Sequence, residues 1–325
     1  MSSVADKKLR TAEQLVAHLK SRGVAFELCS EADAADYLAT ANNYLRACSY
    51  RKLYPVHTEG PKEGKYIGLD FGALIRLSSV DRVLRTALRD IALDVEHFAR
   101  VRLLDRAVAE GEDGYAIVSD YLDGLDSRNH SRVISGLLWR GKPGDSYDEY
   151  SGDLIAHYMD EGYPLWVFLE VIEFGRFCDL WLFCAKRWDD HSMVVSHYWL
   201  KSIKALRNSV CHNSCIINGF SSCSDRVNFR TPDDMLSSMS LLGLKNTKSR
   251  RSKLRNLRVA HIAAALYGSY EFCTRASTRF RHADAMDSVR RALDEVRLIC
   301  PADGSLASYF DFIMKLIDIW APKQT

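Results

Sequence analysis

The chain has 325 residues, 47% of them hydrophobic and 26% charged, the mix of a globular protein with one large domain or two smaller ones. No apolar run is long enough to cross a bilayer, and the opening MSSVADKKLRTAEQ lacks the apolar centre of a secretion signal. Membrane and secreted classes are therefore set aside, and a cytoplasmic location is expected. The formal charge of +2 is uneven: Lys201 to His261 carries twelve Lys and Arg against three Asp and Glu, a local +9 that leaves −7 elsewhere. Such a basic segment implies an anionic partner.

Helical patterns dominate in chain order. Thr11 followed by Gln14 is a capping-box pattern and Gly23 a stop, which predicts a first helix over TAEQLVAHLKSRG. EADAADYLATANNYLRA predicts a second. LYPVHTEGPKEGKY, with two prolines and two glycines, is a loop. Leu74, Leu77, Val80, Leu84, Leu88, Ile91, Val95, Phe98 and Leu103 recur mostly three or four apart, which predicts one long helix from about Gly72 to Val108. Gly111 to Asp153 is rich in Gly, Asp and Ser, so short helices and loops are expected there, in the most mobile part of the chain.

YPLWVFLEVIEFGRFCDLWLFCAKRW reads as one buried helix that starts near Pro164, with Gly175 available for a close helix contact. VSHYWLKSIKALRNSVCH is the next helix. The chain is then irregular from Ile216 to Asn246. Three amphipathic helices follow, in TKSRRSKLRNLRVAHIAAALYGSYEFC, ADAMDSVRRALDEVRLIC and LASYFDFIMKLIDIW. With little strand alternation, no repeat and no linker, a single all-α domain is the economical fold. Tyr163, Trp166, Phe168 and Phe174 are assigned to the core, as are Tyr44 and Tyr50 near the N-terminus; His97 is expected on a helix surface.

The nine cysteines are odd in number and irregular in spacing, which argues against a disulfide framework. Cys211, His212, Cys215 and Cys223 cluster without a C-x2-C pair, so buried apolar cysteines are the plainer reading. No metal and no cofactor are expected.

The stretch IKALRNSVCHNS carries the chemistry. On a helix Asn208 and His212 are i, i+4 and share a face, whereas Arg207 and His212 stand about 140° apart and ~7.5 Å along the axis. They flank a phosphate-sized gap, and two copies facing across a two-fold axis would complete a site of two Arg and two His. Metal-independent RNA cleavage fits. The ribose 2′-OH attacks, His212 acts as base or acid, Arg207 holds the scissile phosphate, and the products are a 2′,3′-cyclic phosphate and a 5′-OH. A rival lies in RNLRVAH, where Arg255, Asn256 and His261 follow the related R-N-x4-H pattern. Residue types alone do not separate the two.

Context does. NNYLRACSY (Asn42 to Tyr50), DRVLRTALRDIALDVEHFARVRL (Asp81 to Leu103), YPLWVFLEVIEFG (Tyr163 to Gly175) and WLKSIKALRNSVCHN (Trp199 to Asn213) occur in this order. Together they resemble the abortive-infection family of the AbiD/AbiF type, anti-phage proteins of the HEPN superfamily, over residues 8–218. The resemblance implies an all-α HEPN-type helical bundle, usually dimeric, with an R-x4-6-H ribonuclease site. It also implies a division of residues 1–325 into an N-terminal helical extension (1–60), a HEPN core (72–218) and C-terminal helices (245–320). The family pattern falls on Arg207, Asn208 and His212, with Glu96 and Arg100 at the acidic and basic positions of the long helix. That i, i+4 pair either orients the site or is an ordinary surface ion pair. Where the family continues with a second His, an Arg, an aromatic and an Asn, this chain has Asn213, Cys215, Ile217 and Asn218, so the polar set around the site is reduced.

Members of the family are associated with small structured RNAs that act as antitoxin-like partners. Lys248, Arg251, Arg255 and Arg258, spaced three, four and three apart, form a basic stripe on one helix face, with Arg250 and Lys253 beside it. The expected partners are RNA, as substrate and as a small non-coding antitoxin RNA, and a second copy of the chain; no membrane is expected. The alternative to an endoribonuclease is a non-catalytic RNA-binding HEPN dimer.

Overall fold

The computed structural model describes residues 8–220, 230–301 and 304–323. Among them no β-strand forms; Ala25 with Asp70 and Val56 with Tyr66 make only isolated bridges. The N-terminal helices are α1 (Ala12–Ser21), α2 (Glu31–Asp36) and α3 (Tyr44–Ala47). The long α4 (Phe71–Ala109) follows, then α5 (Ala116–Asp123), α6 (Ser127–Gly141), α7 (Gly152–His157), α8 (Leu165–Val171), α9 (Phe174–Arg187) and α10 (His191–Cys211). The C-terminal part holds α11 (Asp233–Leu241), α12 (Lys248–Leu254), α13 (Leu257–Phe272), α14 (Ala276–Val296) and α15 (Ser305–Trp320). The all-α expectation holds.

Local chemistry sets the ends. The capping box of α1 forms as expected: Gln14 N–H donates to Thr11 Oγ1 at 3.3 Å and Thr11 N–H to Gln14 Oε1 at 3.1 Å. The next turn needs Gly23, whose φ is 83°. Asp70 starts α4 by accepting from Gly72 N–H at 2.7 Å, and α4 then buries Leu74, Leu77, Leu84, Leu88, Ile91, Val95 and Leu103 along one face.

Helix α13 is the hub, packed against α4, α10, α12 and α15. Its run of alanines lets neighbours approach. A Cβ added at Gly268 would stand 2.6 Å from Ile203 of α10, 3.1 Å from Trp199 of α10 and 3.4 Å from Val95 of α4. Helix α14 lies along α4, so one hydrophobic cluster runs from Val16 to Ala321.

Three expected helices break. EADAADYLATANNYLRA forms α2, a π-turn over Tyr37–Ala41 and α3, because Asn42 is extended and Asn43 restarts the helix by accepting from Arg46 N–H at 3.0 Å. The single helix from Pro164 parts at Ile172 and Glu173, both extended, into α8 and α9, with Pro164 as the N-cap of α8. TKSRRSKLRNLRVAH parts at Asn256, whose Oδ1 accepts from Arg258 N–H at 3.1 Å and starts α13. Conversely α11 occupies part of the stretch expected to be irregular. Tyr163, Phe168 and Phe174 are buried, but Trp166 is 49% exposed and meets Tyr115 edge-on, which corrects its core assignment. No helix among the described residues is long and apolar enough to cross a membrane.

Candidate functional site

The site is built where α10 crosses α4. Glu96 lies in the apolar stripe of α4, one turn from Ala92 and Ala99, and is 4% exposed. Two guanidiniums meet it. Arg100 Nη2 donates to Glu96 Oε1 at 2.8 Å and to the Ile172 carbonyl at 3.1 Å, using the backbone freed by the α8–α9 break. Arg207, from α10, places Nε 3.1 Å from Glu96 Oε2. Burial holds the Glu96 carboxyl above its ordinary range, while Arg100 and then Arg207 pull it down. The Glu96–Arg100 pair is thus largely buried rather than an exposed surface pair, and its carboxylate also meets the motif arginine.

The Asn208 side chain bonds to Arg207 rather than to the His212 side chain. Its Oδ1 accepts from Arg207 Nη1 at 3.2 Å, and it borders a cavity of about 350 Å³ that Glu173, Arg176, Asp179, Lys201 and Lys204 also line. His212 is the C-cap of α10: its backbone N–H bonds to Asn208 and Val210 carbonyls while its side chain is exposed. Asn213 then turns the chain with φ 57° and accepts from Arg46 Nη2 at 3.0 Å.

The segment after His212 is held from both sides. Asp81, fully buried in α4, accepts from Ile216 N–H at 2.9 Å, Ile217 N–H at 2.7 Å and Tyr50 Oη at 3.0 Å, and it pairs with Arg85. From α13, Arg258 Nη1 donates to the carbonyls of Cys215 at 2.6 Å and Ile216 at 2.9 Å and to Asn218 Oδ1. Asn256 Nδ2 reaches the Gly219 and Phe220 carbonyls at 2.8 and 3.2 Å. Sequence reasoning missed Asp81, although its signal was present: an acid set four residues after Leu77 and three before Leu84, inside the apolar stripe.

These contacts settle the rival motif. In RNLRVAH, Asn256 is a buried cap and Arg258 a clamp, and burial and then Arg258 push the His261 imidazole down to about 4. Arg258 is therefore removed from the basic stripe: the helix break at Asn256 turns it inward. Lys248, Arg251 and Arg255 stay exposed, and Arg250 and Lys253 are half-buried, with Arg250 donating to the Lys245 carbonyl. Burial, then Lys315 of α15 and Arg250, lower the Lys253 pKa, against the opposing pull of Asp311 from α15.

Among the described residues no group of three His, Cys, Asp or Glu is placed to hold a metal ion; Cys223, part of the cysteine cluster noted above, lies outside them. Ser269, His282 and Asp94 form a hydrogen-bonded chain, with Ser269 Oγ 2.7 Å from His282 Nδ1 and His282 Nε2 2.6 Å from Asp94 Oδ2. Ser269 and His282 are buried at 4% and 2% exposure, so the chain ties α13 and α14 to α4 rather than offering a nucleophile.

An all-α chain with a buried Glu between two Arg, an exposed His at a helix end and the ordered sequence blocks above has a counterpart among known families. The chain belongs to the Abi-like protein family, an abortive-infection family whose model matches residues 37–218. The match begins at the π-turn before α3 and ends at Asn218, the residue that Arg258 holds. No curated protein and no solved structure matches the chain.

Proposed function

We propose that the chain is an anti-phage abortive-infection protein that acts as a metal-independent HEPN-type endoribonuclease, in a homodimer. The carrying observation is the pairing of buried Glu96 with Arg207 while His212, five residues on, stays exposed at the end of α10. A guanidinium steered by a buried acid is ordered before substrate arrives, and the exposed imidazole at the end of the same helix is half of an acid–base pair. In a dimer about a two-fold axis near His212, one imidazole takes the proton of the 2′-OH. The oxygen attacks the adjacent phosphorus, Arg207 offsets the charge gathering on the phosphoryl oxygens, and the His212 of the second copy protonates the leaving 5′-oxygen. The reaction ends in a 2′,3′-cyclic phosphate and a 5′-OH, so DNA is not cut.

The exposed cations of α12 support a second binding surface on which a structured RNA partner, antitoxin-like, is held by its phosphates. Lys248, Arg251 and Arg255 supply it, with Arg250 and Lys253 beside them. A non-catalytic RNA-holding dimer is the competing reading, favoured by that same surface. Expression of the chain, of Arg207→Ala and of His212→Ala separates the two. Growth arrest and RNA with 2′,3′-cyclic phosphate ends are expected from the native chain and from neither variant. Cleavage that persists in His212→Ala overturns the ribonuclease site.

A further inference from the structure

Beyond His212 the chain runs into a second, differently lined cleft. It has a volume of about 580 Å³ and lies between the α2–α3 region and the first turns of α4. That is within the roughly 300–1,000 Å³ of small-ligand sites. Asn42, Asn43, Arg46, Ser78, Arg82 and Asn213 supply its polar lining. Arg85 is there too, but Asp81 neutralises it. No carboxylate lines the cleft, whereas Glu173 and Asp179 line the cavity beside Asn208. Arg46 and Arg82 have no acidic partner among the described residues. Two uncompensated guanidiniums around a concave space suit a phosphate, which guanidinium grips through paired N–H groups.

The asparagines add a second specificity. Asn42 uses Nδ2 on Tyr37 Oη at 3.1 Å and Ser78 Oγ at 3.3 Å, which leaves its carbonyl oxygen. Asn43 spends Oδ1 on Arg46 N–H, and Asn213 spends Oδ1 on the Arg46 guanidinium at 3.0 Å, which leaves both amide NH2 groups. One acceptor and two donors beside two cations form a lining for a heterocycle edge joined to a phosphate. Asn213 directly follows His212, so whatever fills the cleft lies beside the motif. Its left-handed φ of 57° is where Asn is tolerated and most side chains are not.

We propose that this cleft seats a phosphate-bearing ribonucleotide, one unit of the RNA on the His212 side of the bond that His212 and Arg207 address. The placement beside that bond rests on the ribonuclease reading; the nucleotide chemistry of the cleft does not. The test uses the full chain carrying His212→Ala, so that nothing is cut, with Arg251→Ala and Arg255→Ala to silence the α12 surface, and titrates adenosine 5′-monophosphate and a short single-stranded oligoribonucleotide by calorimetry. Both bind, the mononucleotide displaces the oligonucleotide, and Arg82→Glu weakens both by about tenfold or more. Arg82 is exposed, so the substitution leaves the fold intact, checked by thermal unfolding. Mononucleotide binding that Arg82→Glu abolishes but that never displaces the oligonucleotide supports the nucleotide site and assigns it to a free nucleotide. Binding of both ligands equal in Arg82→Glu and the parent, or no binding of either, overturns the site. Whether the native chain cleaves RNA is read separately, so failure of the ribonuclease reading is distinguishable from failure of the cleft.

Discussion

Asp81→Ala is expected to be the most damaging single change near the site. One buried carboxylate serves the Tyr50 hydroxyl, the Ile216 and Ile217 amides and the Arg85 guanidinium. Each neutral donor stranded without water costs about 1–3 kcal/mol, and removing one member of a buried ion pair about 3–5 kcal/mol. The losses overlap, because one side chain makes them all and the emptied space admits water, so about 4–6 kcal/mol is expected in total. Set against the 5–15 kcal/mol that holds an ordinary domain together, that is close to unfolding. Asp81→Asn keeps one oxygen for the two amides but turns an NH2 toward Arg85, and about half the cost is expected. Urea unfolding measures both, with hydrogen exchange at Ile216 and Ile217 showing the local release. A loss below about 1 kcal/mol in Asp81→Ala, with unchanged denaturant dependence, refutes the assignment of Asp81 as the anchor of this segment.

Three further outcomes are expected. Arg258→Ala frees the Cys215 and Ile216 carbonyls and lowers stability by about 2–3 kcal/mol, whereas Arg255→Ala leaves the melting temperature in place and reduces the RNA that co-purifies at low salt; the reverse pattern returns Arg258 to the binding surface. Gly268→Ala gains helix propensity but drives a methyl into Ile203 and Trp199, so a net loss of about 1–2 kcal/mol is expected on chemical denaturation. For pH, His261 has a folded value near 4, below the roughly 6.5 of free imidazole, so the folded chain resists its protonation. Its contribution is complete above about pH 6.5 and is lost as pH falls toward 4, by about 2–3 kcal/mol; His261→Gln should flatten that limb of the stability curve, and an unchanged limb counts against a half-buried imidazole kept neutral.

Periodicity exposed what depends on a long apolar stripe. Helix α4 reads from the chain almost to the residue, because nine hydrophobic positions keep time over its length, and α10, α14 and α15 follow the same logic. Breaks were harder to read, since each turns on one side chain choosing the backbone over its neighbours. Asn256 looked like half of a phosphate motif and serves as a cap; Asn43 does the same before α3. At the site, Arg207, Asn208 and His212 were legible as a motif, and Glu96 and Arg100 through the family resemblance. Their burial was not, because i, i+4 spacing is the same for a surface pair and a buried one. Asp81 and Glu96 are charges inside an apolar stripe, a pattern that a search for hydrophobic positions passes over.

The grip of Arg258 on Cys215 and Ile216 reaches 43 residues back along the chain, from outside the family match to its last residues. Homology and packing therefore draw different borders. A fragment ending near residue 220 would contain the whole matched region yet leave the five acceptors after His212 that Arg258 and Asn256 hold open, and bare the faces of α4 and α10 that α13 covers. For anyone exchanging parts between relatives, the C-terminal helices are not a detachable module. Replacing them is an edit to the loop that carries His212, and the smallest unit that can be moved intact extends at least through α13.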